Sequence, residues 1–357
     1  MIKRVVADEV LQQLKLMLMA AQKIVITCHV SPDGDAVGSS LCLMHVLRKL
    51  GKQATVITPD MLPPSLTFLP GVKDIVVYTR QELMAKHFVN EADLIVCLDF
   101  NAPYRVDRFA PVLTAAKAKK VLIDHHLDPE PFADLQISFP EMSSTCELLY
   151  HVIYFMGMKR YMSRWSATCL YTGMMTDTGN FTYNSNNPDL YVIISELLKW
   201  GIDKEHIYNV VMNTNSENRL RLLGYALSEK MEVFPEVGGA LIALDHDELV
   251  KYHYQRGDTE SLVNRPLTIP GVYWSIFLRD DQEYIKVSTR SAGDFAVNVW
   301  CEKYFCGGGH KNAAGGEFRG TMDECKAIVY DIVELLKKEK ENKNGKLRYY
   351  NRIKDET

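Results

Sequence analysis

Short apolar runs that end on a carboxylate or an imidazole recur through the first half of the chain and narrow the folds open to it. Lys23–Cys28 (KIVITC) is a β-branched run of strand length, and Ala92–Phe100 (ADLIVCLDF) and Lys119–His126 (KKVLIDHH) are two more. The first leads into a polar loop holding His29, Asp33 and Asp35. Apolar residues at helical spacing follow it (Leu41, Met44, Leu47, Leu50). Buried strand runs alternating with such helices predict an α/β fold with a mostly parallel sheet. In a sheet of that kind, ligands sit outside the carboxyl ends of the strands, where these polar residues would project.

One imidazole and two carboxylates within seven residues, His29 to Asp35, cannot converge unpaired, because like charges repel and desolvation adds to the cost. A divalent cation resolves the conflict. The simpler reading is that Ser31, Asp33 or Asp35 caps the following helix and Gly34 makes a turn. Asp99 and Asp124-His125-His126 end the two later strands, and three termini of this type in one pattern are harder to assign to turns alone. Residues 143–156 read as a helix with Ser144 and Glu147 spaced as a capping box. A second helix over 163–175 runs into Thr176-Asp177-Thr178-Gly179, where Gly179 can stop it. Asp177 is then either a loop capper or the further carboxylate that the earlier ligands need.

At 357 residues the chain suits two domains, and 47% hydrophobic with 24% charged residues is ordinary for a soluble globular protein. A net charge of -4 supplies no basic field for tight binding to long duplex nucleic acid, and leaves short or mononucleotide substrates open. The N-terminal spacing of Val6, Val10, Leu14 and Leu18 is that of an amphipathic helix rather than a signal peptide. No apolar run has the length of a membrane span. Eight cysteines without a C-x-x-C pair suggest reduced thiols and a cytoplasmic protein.

Further on, residues 187–200 form an amphipathic helix, and 203–230 are helical and increasingly polar, as in a connector. A new alternating region begins at Gly238, with strands at 272–279 and 284–290 joined in a hairpin and a helix over 294–304. The run Cys306 to Gly316 (CGGGHKNAAGG) is either a place where a phosphate or base approaches peptide N–H groups or a flexible hinge. A helix over 326–338 precedes a charged tail. The expected domains are 1–190, a helical connector over 191–235, a smaller α/β domain over 236–340, and the tail at 341–357, read as a solvated end. His45, His87, His151, His206, His246 and His253 are each isolated from other ligand types and take no role.

Taken together, His29-x-x-Pro-Asp33-x-Asp35-Ala-x-Gly38-Ser39, the strand-ending Asp99, Asp124-His125-His126 and Thr176-Asp177-Thr178-Gly179-x-Phe181 resemble the DHH phosphoesterases. Ser288-x-Arg290 followed by Gly307-Gly308-Gly309-His310-x-x-Ala313-Ala314-Gly315 resembles the DHHA1 domain that follows the DHH domain in one branch, the nanoRNase and pAp-phosphatase branch. The resemblance implies two cations, usually manganese, bridged by Asp99. His29, Asp33 and Asp99 would hold one, and Asp35, Asp99, His125 and Asp177 the other. His126 would face the substrate phosphate as a catalytic group beside Asp99, with Asp124 orienting an imidazole. Arg290, Gly308, Gly309 and His310 would grip a distal phosphate or nucleotide.

The implied activity is hydrolysis of short oligoribonucleotides, linear dinucleotides or 3′-phosphoadenosine 5′-phosphate by metal-activated water. The alternatives are a phosphoanhydride hydrolase acting on polyphosphate or pyrophosphate, and a nucleotide sensor without turnover. The expected partner is short RNA or a nucleotide, with a second copy of the chain as a further candidate and neither a membrane nor long duplex nucleic acid.

Overall fold

The computed structural model describes residues 2–342. The chain divides into two compact units, one ending at Thr214 and the other beginning at Asn215. Strands of the first unit are β1 (Lys23–Thr27), β2 (Gln53–Thr58), β3 (Val76–Val77), β4 (Leu94–Leu98), β5 (Lys119–Asp124) and β6 (Leu135–Ser138). Its helices are α1 (Asp8–Ala20), α2 (Gly34–Lys49), α3 (Glu82–Asn90), α4 (Ala110–Ala115), α5 (Thr145–Phe155), α6 (Arg164–Asp177), α7 (Pro188–Leu198) and α8 (Lys204–Met212).

The six strands form one parallel sheet in the order β3-β2-β1-β4-β5-β6. Successive strand residues point to opposite faces, and here both faces are covered. Ile24 and Ile26 of β1 and Leu94, Val96 and Leu98 of β4 enter the core beneath α2, α5 and α6. Val25, Ile95 and Cys97 enter a second core with Ala85, Val106 and Leu113. The continuous apolar runs in the sequence follow from this two-sided burial. Strand order reverses between β1 and β4, so the loops leaving these two strands diverge and open a crevice at their carboxyl ends.

Several boundaries differ from the sequence expectation. The run ending at Phe100 stops at Leu98, because Asp99 adopts a left-handed conformation (φ 64°) and turns the chain. Before β3 the chain makes a 3-10 turn, Val72–Asp74, and β3 itself is only two residues long. Helix α6 extends to Asp177, placing that carboxylate in its last turn. Ser144 caps α5 by accepting from Glu147 N–H, but the Glu147 carboxylate takes the N–H of Ser143 rather than that of the cap, so the box is not reciprocal.

The second unit holds β7 (Met231–Phe234), β8 (Gly239–Leu244), β9 (Trp274–Asp280), β10 (Ile285–Ser291), β11 (Gly308–His310) and β12 (Ala313–Phe318). They form a mixed sheet ordered β11-β12-β10-β9-β8-β7, with only β8 and β9 parallel. Its helices are α9 (Glu217–Ser228), α10 (His246–Lys251), α11 (Asn298–Tyr304) and α12 (Met322–Asn342). Trp274, Val287 and Phe305 pack with Cys325, Val329 and Ile332 of α12. Ile242 and Phe277 pack with Leu222 and Ala226 of α9.

The connector read over 191–235 is therefore shared. Ile207 of α8 buries in the core of the first unit, and α9 packs in the second. The glycine run is not a hinge but two paired strands, β11 and β12. Of the charged tail expected over 341–357, all but the last two residues of α12 lies outside the described residues.

Glycines let α2 and α6 approach closely. A Cβ on Gly38 would lie 2.5 Å from the Cys169 carbonyl oxygen, and one on Gly173 would lie 2.3 Å from Cys146 Sγ and 2.8 Å from Asp35 Oδ1. Gly173→Ala is expected to destabilise the protein by about 1–3 kcal/mol through overpacking, measured by denaturant unfolding. Gly224→Ala, on the α9 surface with nothing within 4 Å of the added carbon, is expected to stabilise by about 0.5–1 kcal/mol.

Candidate metal centre

The candidate ligands of the first unit each sit at the carboxyl end of a strand or at an adjoining helix terminus. His29 follows β1, Asp33 is the N-cap of α2, and Asp35 lies in that helix's first turn. Asp99 follows β4, and Asp124 ends β5 just before His125 and His126. Asp99 is nearly inaccessible, and its two oxygens face different imidazoles. Oδ2 lies 3.5 Å from His29 Nε2, and Oδ1 lies 3.6 Å from His125 Nε2. Around His29 Nε2 stands Asp33 Oδ2 at 3.7 Å. Around His125 Nε2 stand Asp177 Oδ2 at 3.4 Å and Asp35 Oδ2 at 3.9 Å.

These separations exceed those of normal hydrogen bonds and suit atoms that converge on a common point. Three groups have ligand atoms mutually within 4.8 Å and can hold a metal ion: His29, Asp33 and Asp99; Asp35, His125 and Asp177; and Asp99, His125 and His126. The capping and metal readings of Asp33 are compatible. Oδ1 accepts from the N–H groups of Asp35 and Ala36, at 3.0 Å each, while Oδ2 faces His29.

Main-chain carbonyls set the imidazoles. His29 Nδ1 donates to Val30 O at 2.8 Å and His125 Nδ1 donates to Met142 O at 3.2 Å. Since a carbonyl only accepts, each Nδ1 carries hydrogen, and the neutral ring turns an Nε2 lone pair toward the carboxylates, as a ligand requires. His126 differs, because its Nδ1 is held by Asp124 Oδ1 at 2.8 Å.

The start of α5 supplies what sequence reasoning missed. Asp35 Oδ2 accepts the Thr145 N–H at 2.6 Å and Oδ1 accepts the Cys146 N–H at 2.8 Å. The Thr145 hydroxyl donates to Asp99 Oδ1 at 2.9 Å. A helix N-terminus thus anchors one buried carboxylate while its first side chain orients the other. The Ser-Ser-Thr start of α5 signalled a cap, but not which distant carboxylates it would serve.

Without a cation the cluster must hold protons. Burial, then the charges of Asp99 and Asp177, push the Asp35 carboxyl well above its ordinary range. Burial likewise lifts Asp177, to about 7, against the opposing pull of His125. Burial disfavours the His29 cation, but hydrogen bonding to Asp33 and Asp99 outweighs it and raises that ring to about 11. Asp99 moves the other way, below its ordinary value, because the imidazoles around it overcome its burial.

In the second unit, Arg290 of β10, Ala313 of β12 and His310 of β11 occupy one register row, with Ser288, Gly315 and Gly308 in the next alternate row on the same face. Small residues between Arg290 and His310 leave a shallow strip. The Arg290 guanidinium is half-buried and donates to the carbonyl of the preceding residue, Thr289 O, at 2.9 Å. Among the described residues no carboxylate pairs with it, and burial lowers its pKa. The three glycines are not equivalent. A Cβ on Gly307 would meet Gly315 O at 2.0 Å, and Gly309 holds φ 143°, whereas the nearest atom to a Cβ on Gly308 is Glu302 Cγ at 3.9 Å.

A cation entering the first unit's cluster must displace protons from Asp35, Asp177 and the His29 ring, so its affinity is expected to rise with pH. Titrating the metal-free protein with Mn2+ between pH 5.5 and 8.5 should show affinity climbing throughout, with a shallower slope once Asp177 is ionised near 7, because the His29 proton is still displaced there. Proton release measured in parallel should fall over the same interval.

Family models match both units. One described as the DHH family, N-terminal domain, covers residues 23–174, and one described as the DHHA1 domain covers residues 246–338. A bifunctional oligoribonuclease and PAP phosphatase NrnA of Thermus thermophilus is 30% identical over 314 residues, 87% of this chain and 89% of that protein. The protein of the same description from Bacillus subtilis is 27% identical over 316 residues, 88% of this chain and 95% of its own. A crystal structure of an exopolyphosphatase-related protein from Bacteroides fragilis is 49% identical, covers 94% of this chain and 98% of its own, and superposes with a TM-score of 0.92. Similarity at these levels along nearly the whole length, with both domain types present in order, means that the chain belongs to the DHH phosphoesterase family, in the branch that carries a DHHA1 domain.

Proposed function

We propose that this phosphoesterase is manganese-dependent and hydrolyses short oligoribonucleotides and 3′-phosphoadenosine 5′-phosphate. The observation that carries the reading is the division of the Asp99 carboxylate between two imidazoles, 3.5 Å from His29 and 3.6 Å from His125. A shared carboxylate flanked by two further ligand sets suits a pair of cations. His29, Asp33 and Asp99 would hold one, and Asp35, Asp99, His125 and Asp177 the other. Mixed imidazole and carboxylate donors favour manganese over magnesium, which prefers oxygen ligands and water. A bound pair supplies acidified water and neutralises charge that builds on the phosphoryl oxygens.

The chain's own groups do the rest. Asp124 fixes His126 through Nδ1 and leaves Nε2 for substrate. Burial disfavours the His126 cation, but the Asp124 hydrogen bond and the Asp99 charge prevail and raise its pKa, so the ring can donate to a phosphate oxygen. Thr145 holds the Asp99 carboxylate in place. In the second unit Arg290 presents a planar fork suited to two phosphate oxygens at once, and His310 lies across the strip. The substrate class is supported by the names of the Thermus and Bacillus relatives.

A second reading, hydrolysis of polyphosphate, is favoured by the description of the 49% identical Bacteroides protein as exopolyphosphatase-related. Comparing kcat/KM of the manganese-loaded protein for a ribodinucleotide, 3′-phosphoadenosine 5′-phosphate and polyphosphate decides between them. The ribonucleotide substrates are expected to lead, and a lead for polyphosphate would reverse the assignment.

Asp99→Asn should lower kcat to background in that assay while the melting temperature stays near that of the parent. Arg290→Ala should raise KM roughly tenfold or more, as expected for one lost charge-assisted contact, with a smaller effect on kcat. EDTA should silence the protein and added Mn2+ should restore it.

A further inference from the structure

Arg105 stands in the 3-10 turn Pro103–Phe109, six residues after Asp99, and none of the motifs above includes it. Its main chain is built into the rim of the centre. The Val30 N–H, next to His29, donates to Arg105 O at 2.8 Å, and the Arg105 N–H donates to Ala102 O at 3.1 Å. The segment that carries it is also tied to the loop after His126, since Asn101 Nδ2 donates to Leu127 O at 2.7 Å and Glu130 N–H donates to Asn101 O at 2.8 Å. Arg105 is thereby held where the His29 loop, the Asp99 loop and the His125-His126 loop meet.

The side chain, in contrast, has no internal task. Its Nε is enclosed without a hydrogen-bond partner, and among the described residues no carboxylate forms an ion pair with it. An enclosed donor without an acceptor is destabilising, and a guanidinium cannot shed its proton to relieve the cost. Four carboxylates of the centre, Asp33, Asp35, Asp99 and Asp177, leave it unpaired, although its charge is close enough to His126 to oppose protonation of that ring. A guanidinium whose terminal nitrogens carry no ion pair among the described residues, at the edge of an anionic cluster, is suited to an anion that the cluster itself binds only through cations. Phosphate has the tetrahedral oxygens that accept two parallel N–H donors from one guanidinium.

We propose that Arg105 is a substrate-binding residue that donates to non-bridging oxygens of the phosphate held at the metal centre, beside His126. This rests on the reading of the first unit as a phosphoesterase centre, and it adds to that centre a cation supplied by the chain. Arg105 is thus assigned to the reacting phosphate, whereas Arg290 is assigned to a distal one.

The test uses the full-length protein, with inorganic phosphate as the probe. Mn2+ affinity of Arg105→Gln should equal that of the parent. Phosphate affinity of the manganese-loaded variant should fall roughly 10- to 100-fold, as for loss of one charge-assisted hydrogen bond pair. Arg105→Lys, which keeps the charge and stem but not the fork, should lose several-fold and provides the comparison if the Gln variant does not fold. Unchanged phosphate affinity in both variants, or a parallel loss of Mn2+ binding, would overturn the assignment. Because phosphate binding is read without turnover, a parent protein that hydrolyses none of the ribonucleotide substrates would count against the proposed function alone.

Discussion

Mutual repulsion among buried carboxylates governs the first unit. Asp35 and Asp99 are almost wholly removed from water, Asp177 is close by, and no lysine or arginine pairs with them among the described residues. Such a cluster is tolerable only if protons or cations neutralise it, and the imidazoles of His29 and His125 are turned so that either can serve. The surrounding fold is consistent with holding this unfavourable arrangement rigid. The N-terminus of α5 grips Asp35, the Thr145 hydroxyl grips Asp99, and glycines bring α6 against α2 so that Asp177 reaches the same space.

The strain is local and coincides with the chemistry. Asp99 is a non-glycine residue at φ 64°, at the point where the order of the parallel sheet reverses. That conformation ends β4 at Leu98 and swings the carboxylate between the loops of β1 and β5. A residue that continued the strand would send alternate side chains to the two covered faces and none to the crevice.

The second unit uses a different device. Its antiparallel strands β10, β12 and β11 place Arg290 and His310 on one face, separated by alanine and glycine. Only some of that glycine content serves the open strip. Gly307 and Gly309 are dictated by backbone packing and by a positive φ, while Gly308 has room for a side chain. The same composition therefore serves two ends, close packing of main chains and exposure of a surface.

Local chemistry alone determined much of this protein. Continuous β-branched runs indicated strands buried on both faces, their polar ends indicated a site, and the order of His29, Asp33, Asp35, Asp99, His125, His126 and Asp177 indicated the family. Those features are legible because side-chain period and residue type are properties of short segments. Tertiary structure alone decided which oxygen of Asp99 faces which imidazole, that Thr145 and the α5 amides hold the carboxylates, and that the glycine run is a strand pair. It also placed Arg105 at the rim with its Nε unpaired. Each of these depends on residues far apart in the chain meeting at one point, and no short segment encodes such a distance.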